Sequence, residues 1–191
     1  MKTQTIIAVK FLLVMIVLSG IIYPFFMTGL AQLVFPSKAN GSLITKDGKI
    51  IGSELIGQKF DSTLYFWSRP SAIGYNPIPS GASNYGPTSG TLKKLVKARS
   101  NLFRRMNSLA DTTEIPAEMI FASASGLDPH ISPEAAILQV NRIVNNRKFG
   151  EAQREKVDSL IKSLTEYPQF HMLGQERINV FLLNLSLDRI K

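Results

Sequence analysis

From Phe11 to Ser37 the chain reads "FLLVMIVLSGIIYPFFMTGLAQLVFPS" without a charged residue. A helix needs ~20 apolar residues to cross the hydrocarbon core of a bilayer, and this run exceeds that. A cleavable signal peptide is the competing reading, because Gly29-Leu30-Ala31 offers a small-x-small site. Its apolar region would normally stop after ~7 to 15 residues, whereas this one stays apolar through Phe35. The expected organisation is a short cytoplasmic tail over 1–10, a transmembrane helix over 11–35 and one extramembrane domain over 36–191. Lys2 and Lys10 precede the span while Lys38, Lys46 and Lys49 follow it, so basic residues alone do not orient it. The ordinary signal-anchor arrangement puts the bulk of the chain outside the cytoplasm, as a single-pass protein of the inner (plasma) membrane. Pro24 removes a backbone hydrogen bond in mid-span and predicts a kink there. Gly20, Gly29 and Ala31 are small enough for another helix to approach closely.

The remainder suits one domain of roughly 150 residues. The chain has 0 Cys and 2 His, which removes disulfides and thiol chemistry and argues against a metal site. Asp47-Gly48 between short apolar runs predicts a β-hairpin. Leu64 to Trp67 reads as a further strand. Leu92, Leu95, Val96, Leu102, Phe103, Met106 and Leu109 recur at helical spacing, predicting a helix from Thr91 to about Ala110 capped by Ser89 or Thr91. Its outer face carries Lys93, Lys94, Lys97, Arg104 and Arg105. Met119 to Ala122 reads as a strand. Ser132-Pro133-Glu134 opens a helix, with Ser132 as cap, Pro133 at a position that needs no amide hydrogen, and Glu134 at the positive end of the dipole. Ala136, Ile137, Val140, Ile143 and Val144 form its expected buried face. A second helix spans Glu151 to about Thr165, with Val157, Leu160, Ile161 and Leu164 inward, and Pro168 ends it. The tail "RINVFLLNLSLDRIK" reads as a final buried strand. The fold class is therefore α+β: a single N-terminal transmembrane helix followed by one mixed α/β domain.

Catalytic signals are thin. Neither a G-x-x-x-x-G-K-S/T loop nor a G-x-G-x-x-G after a strand is present, so ATP or dinucleotide binding has no direct support. Ser123, Ser125, Asp128 and His130 lie close together, but "SASGL" is not the G-x-S-x-G nucleophile elbow. Residues this near in a turn more commonly bond the backbone. His171, beside Pro168 and Phe170, suits a packed or surface histidine better than a ligand. The pI of 9.8 and the basic helix face suit anionic lipid headgroups or an acidic partner. With no recognised module and a membrane anchor, nucleic acid is not an expected partner.

The segment "SRPSAIGYNPIPSGASNYGPTSGTL", Ser68 to Leu92, is rich in Pro and Gly. Structureless loops beyond ~12 to 15 residues are uncommon unless they bind something or are disordered. Ile73, Tyr75, Ile78 and Tyr85 punctuate this one, which argues for an ordered loop. Fixed proline φ, glycine turns and Asn/Ser side chains bonding nearby backbone would hold it, either as a cover for the domain or as a docking surface.

"FWSRPSAIGYNPIPSGASNYGPTSGTL" followed by "SASGLDPHISPEAAILQVNRI" resembles the C subunit of the Kdp-type potassium-transporting P-type ATPases. The resemblance rests on the order of Arg69-Pro70-Ser71-Ala72, Tyr75-Asn76-Pro77, Ser80-Gly81, Ser83-Asn84, Gly86-Pro87, Ser125-Gly126-Leu127-Asp128-Pro129 and Ile131-Ser132-Pro133. It departs at Trp67, Tyr85 and Gly90, and the tail from about Asn179 reads as divergent. It implies a non-catalytic subunit needed for assembly, working with a channel-like A subunit that selects potassium, a B subunit that hydrolyses ATP and a small F subunit, in contact with membrane lipid. The family is described as a catalytic chaperone that raises the ATP affinity of the B subunit. No cofactor is expected on this chain alone, since the complex would handle ATP and potassium. The motif residues named above are then docking or structural positions, with Gly20, Pro24, Gly29 and Ala31 as packing positions in the span. The alternative is a membrane-anchored hydrolase using Ser125 and His130.

Overall fold

The computed structural model describes residues 2–190, which divide into two compact units, 2–53 and 54–190. The first unit begins with a continuous helix from Lys2 to Val34, long and apolar enough to cross a membrane. It comprises α1 (Lys2–Val17), a π-turn segment (Leu18–Ile22) and α2 (Tyr23–Val34). The irregularity anticipated at Pro24 takes the form of this widened turn, where the Tyr23 amide donates to Leu18 O, one residue beyond the α partner. Widening just before Pro24 accommodates a ring that would otherwise meet the carbonyl of Gly20. The short α3 (Pro36–Ala39) follows, and Asn40 exchanges 3.2 Å side-chain hydrogen bonds with Gln32. The expected hairpin is present as β1 (Leu43–Lys46) and β2 (Lys49–Ser53). Asp47 (φ 52) and Gly48 (φ 74) occupy the left-handed region that its two-residue turn requires.

The second unit is built on helices. α4 (Gly90–Asn107) begins at Ser89, whose hydroxyl accepts from the Leu92 amide, and ends with Ser108 in the left-handed conformation at φ 54. α5 (Pro133–Arg147) starts as its sequence directs: Ser132 Oγ accepts from the Ala135 amide at 3.1 Å, with Pro133 in the first turn. α6 (Glu151–Leu164) follows after a three-residue break, and α7 (Val180–Leu187) closes the fold. The strands β3 (His130–Ile131) and β4 (Ile178–Asn179) form one short antiparallel pair, His130 opposite Asn179 and Ile131 opposite Ile178. α5 packs against α4 and α6, and α6 packs against α7. Phe66, Ile131, Ile143, Val157, Leu183 and Leu187 lie in the centre at 2% exposure or less. Each such side chain contributes roughly 1.5–3 kcal/mol through removal from water.

The expected strands took other forms. Leu64 to Trp67 joins no sheet: Leu64 lies in a turn that the Tyr65 amide closes on Ser62 O, and at Phe66 and Trp67 side chains take the place of a neighbouring strand. The Phe66 amide donates to Asn184 Oδ1 at 2.8 Å, Phe66 O accepts from Asn184 Nδ2 at 2.9 Å, and the Trp67 amide donates to Gln139 Oε1 at 2.7 Å. Met119 to Ala122 is not a strand either: Pro116 opens a 3-10 turn over Ala117–Met119, and the Phe121 amide closes on Ala117 O. The tail pairs over two residues only and then becomes α7. Asn179 Oδ1 accepts from the Phe181 and Leu182 amides and starts that helix. Ile137 is 58% exposed, so the buried face of α5 is rotated from the expected one to include Ala135, Gln139 and Arg142.

Arg142, 3% exposed, sits where the helices meet the aromatic segment. Nη1 donates to Ser62 O (3.3 Å), Thr63 O (2.8 Å) and Tyr65 O (3.0 Å), Nε to Asn107 Oδ1 (2.9 Å), and Nη2 to Gln139 Oε1 (2.8 Å). The guanidinium carbon lies 4.5 Å from the Trp67 ring centroid. Burial pushes the pKa of Arg142 down to about 10, which leaves it cationic at neutral pH. No carboxylate pairs with it among the described residues; carbonyl and amide oxygens and a π face stabilise the charge instead. Arg142→Met should cost ~3 kcal/mol or more, because it strands several buried acceptors at once. Thermal unfolding of the full chain in detergent, followed by circular dichroism, checks this; a midpoint unchanged from wild type would show the network to be dispensable.

Candidate functional site: a latched loop and its exposed rim

Arg69 and Asp128, the charged members of the two motif segments, meet in the fold. Arg69 Nη1 donates to Asp128 Oδ2 at 2.6 Å. The other carboxylate oxygen, Oδ1, accepts from the His130 amide at 3.0 Å and lies 3.4 Å from His130 Nδ1. Burial pulls the Asp128 pKa upward, but the His130 contacts and the Arg69 charge outweigh it and hold the carboxyl down at about 2. Tyr75 returns over this pair, its hydroxyl donating to Arg69 O at 2.5 Å. Burial is the main cause that pushes the Tyr75 phenol up to about 12.

Backbone bonds extend the latch on both sides. The Ser123 amide donates to Pro70 O (3.1 Å), the Gly81 amide to Ser125 O (3.0 Å) and the Gly57 amide to Leu127 O (2.7 Å). Gly57 has no room for a side chain, since a Cβ there would lie 2.6 Å from Asp128 O. Gly126 needs its φ of +72, and a Cβ there would also meet Gly81 O at 2.9 Å. Ser71 Oγ accepts from the Ile73 and Tyr75 amides, and Pro129 O accepts from the Val180 amide. Arg69, Pro70, Ser71, Tyr75, Ser125, Gly126, Asp128 and Pro129 thus form one assembly, while Ser132 and Pro133 start α5 beside it.

The other motif residues are displayed outward. Asn76, Pro77, Ser83, Asn84, Gly86 and Pro87 are all exposed, and Ile78 between them is 81% exposed. The rim is shaped by its own backbone: Asn76 Oδ1 accepts from the Ile78 amide, Asn84 holds φ 52, and the Ser89 amide donates to Gly86 O. Two open clefts flank the Arg69–Asp128 pair. One, of about 560 Å³, has Glu118, His130, Ser132 and Arg177 on its walls, and the other, of about 620 Å³, has Leu55, Ile56, Ser123 and Pro129.

The hydrolase alternative finds no geometry here. Ser125 Oγ accepts from the Leu127 amide at 3.1 Å, His130 turns to Asp128, and no hydrogen bond joins Ser125 to His130 among the described residues. No group of acidic and histidine side chains able to hold a metal occurs among the described residues either. In the span, Gly20 and Gly29 have nothing within 4 Å of an added Cβ, so these positions have no packing partner among the described residues. Residue-pattern reasoning missed the Gln139–Arg142 pair, whose signal was two polar residues three apart on the apolar stripe of α5. It also missed the arm over 166–177, where paired backbone bonds join Glu166 to Arg177 and Gln169 to Leu173.

Since the folded-state pKa of Asp128 lies below its unfolded value of ~3.9, its stabilisation is full above that value and is lost as pH falls through about 2. Asp128→Asn should therefore cost ~1–2 kcal/mol at neutral pH, after allowance for solvent screening at a partly exposed site. The difference from wild type should shrink progressively as pH falls from about 4 through about 2. Urea unfolding of both proteins across this range is the check, and a pH-independent difference would contradict the assignment.

Comparison with known proteins places these features in a family. The family model described as "K+-transporting ATPase, c chain" (KdpC) matches residues 5–189, so the tail beyond Asn179, which had read as divergent, lies within the match. A potassium-transporting ATPase KdpC subunit from Geobacter metallireducens is 47% identical over 96% of both chains. That from Methylococcus capsulatus is 46% identical over 96% of both. The KdpC subunit from Dechloromonas aromatica is 43% identical over 100% of this chain and 99% of its own. Matched along nearly all of its length, from the apolar helix to α7, the chain belongs to the KdpC family, the c chains of K+-transporting ATPases.

Proposed function

We propose that this chain is the non-catalytic accessory subunit of an ATP-driven potassium uptake complex, anchored by its N-terminal helix and docking through the rim of the latched loop. The observation that carries the reading is the division of labour in residues 68–92. One part is fixed to the 123–131 turn by an ion pair and backbone bonds, Gly81 among them, while 76–80 and 83–88 are left exposed. A loop that merely covered the core would bury its apolar side chains, whereas Ile78 and Tyr85 face outward. Family membership supplies the context, since a c chain implies further chains.

In this reading the partners are the channel-like A subunit, the ATP-hydrolysing B subunit and the small F subunit, together with membrane lipid. The span packs on partner helices through Gly20, Gly29 and Ala31, beside the π turn that precedes Pro24. The folded unit, with the connecting segment from residue 36, lies outside the cytoplasm near the potassium entrance. A bilayer core of ~30 Å then separates it from cytosolic ATP. The chaperone effect on ATP affinity is in that case a coupling transmitted through packed transmembrane helices, with no nucleotide bound by this chain.

Replacing Asn76 by Ala together with Asn84 by Gly, which keeps the positive φ available, should reduce recovery of the intact complex at least several-fold on affinity purification. The thermal midpoint of the chain should stay close to wild type; full recovery of the complex by the double variant would sink the docking role of the rim. Sidedness has its own measurement. The chain has 0 Cys, so Ser163→Cys on the exposed face of α6 gives a single thiol. It should react with a membrane-impermeant reagent on intact cells, and labelling that requires permeabilisation would put the unit in the cytosol.

A further inference from the structure

The charge of this protein is unevenly placed. α4 carries Lys93, Lys94, Lys97, Arg99, Arg104 and Arg105 and has no acidic residue, in a chain whose net charge is +8. Helix α6, by contrast, mixes Glu151, Glu155 and Asp158 with Arg154, Lys156 and Lys162. Two of the α4 cations are used inside the fold: Arg99 donates to Ile120 O at 3.1 Å, and Arg104 to Ser100 Oγ and to Thr113 O. The others are not. At ~100° per residue, Lys93, Lys97, Asn101, Lys94 and Arg105 fall within one sector of roughly 120°. All are exposed, and none of the cations among them forms an ion pair among the described residues. The opposite side holds Phe103 and Asn107 in the core.

This placement works against the helix in water. Lys93 and Lys97 repel at i, i+4, Lys94 and Lys97 at i, i+3, and Lys93, at the end of the first turn, opposes the positive end of the helix dipole. An anionic surface facing the sector offsets each of these costs. Lipid is the anionic surface this chain always accompanies, because it carries a helix able to cross a bilayer. At the edge of the sector Ala98 and Leu102 are exposed, Leu102 by 43%, which adds a small apolar margin next to the charges, as in helices that lie along headgroups.

We infer that the exposed face of α4 is a binding surface for anionic phospholipid headgroups, with Lys93, Lys94, Lys97 and Arg105 as its contacts. The inference is independent of the docking role of the rim and of which leaflet the folded unit faces. Nothing in it requires another chain.

The test uses the full chain in nanodiscs with an environment-sensitive fluorophore on Asn101→Cys, a unique thiol at the centre of the sector. In discs of phosphatidylcholine mixed with phosphatidylglycerol the emission should shift to the blue relative to phosphatidylcholine alone. The shift should vanish at ~1 M salt, where the screening length is ~3 Å. It should also be lost when Lys93, Lys94, Lys97 and Arg105 are replaced together by Gln. The salt arm uses native charges, so the test does not depend on that variant folding. Inorganic phosphate added to neutral discs should produce no shift. Identical spectra in neutral and anionic discs, as for a face reserved for an acidic protein, would overturn the inference. So would a shift that persists in salt or in the Gln variant, or one produced by phosphate alone.

Discussion

Arg142 is a charge placed where water does not reach, and the second unit is arranged around keeping it there. A guanidinium at 3% exposure is costly unless its N–H groups find oxygen, and here the oxygen comes from an irregular segment that has no sheet of its own. The dependence runs both ways. Arg142 needs the carbonyls of Ser62, Thr63 and Tyr65, and those of Thr63 and Tyr65 need a donor because no strand lies beside them, while Ser62 O also accepts from the Trp67 indole and the Tyr65 amide. Gln139 links the two, accepting from both Arg142 and the Trp67 amide through one oxygen. Asn184 does for Phe66 what a neighbouring strand would do, one donor and one acceptor facing the same residue.

This arrangement sets where the latched loop starts. Trp67 is fixed by Gln139 and Arg142, Ser68 Oγ donates to Gln58 O, and Arg69 follows immediately at the ion pair with Asp128. The chain passes from a buried polar network to a partly exposed one over three residues. On the other side, Asp128 lies just before β3, in the segment that leads into the helix carrying Gln139 and Arg142. Core, latch and rim are successive shells of one construction, with the exposed rim outermost.

Local signals were legible in the sequence. Asp47-Gly48 marked a turn, Ser89 and Ser132 marked helix starts, and the apolar stretch before Ser37 marked the span, because each signal is read by atoms a few residues away. The segment at Leu64 to Trp67 was legible as extended and aromatic, but its hydrogen-bond partners lie on α5 and α7. Nothing in its own composition separates a strand from a ribbon tied down by side chains. The tail failed for a different reason: α7 is apolar on nearly all sides, so it shows no helical period, and only Asn179 and Asn184 hinted that buried polar groups had local work there. The motif residues were found, yet their separation into a latch and a rim was not. Arg69 and Asp128 stand far apart in sequence, and only the fold brings them together.

Residues 83–88 form an exposed span of loop between the Gly81 amide, held by Ser125 O, and Ser89, which caps α4. Closing a loop between fixed ends costs entropy that rises with the logarithm of its length, only ~0.6 kcal/mol for each doubling. Such a stretch can be lengthened, shortened or rewritten while the latch and the core behind it stay in place. The exposed surface is thereby free to vary on its own timetable, and the scaffold that holds it is not drawn into the change.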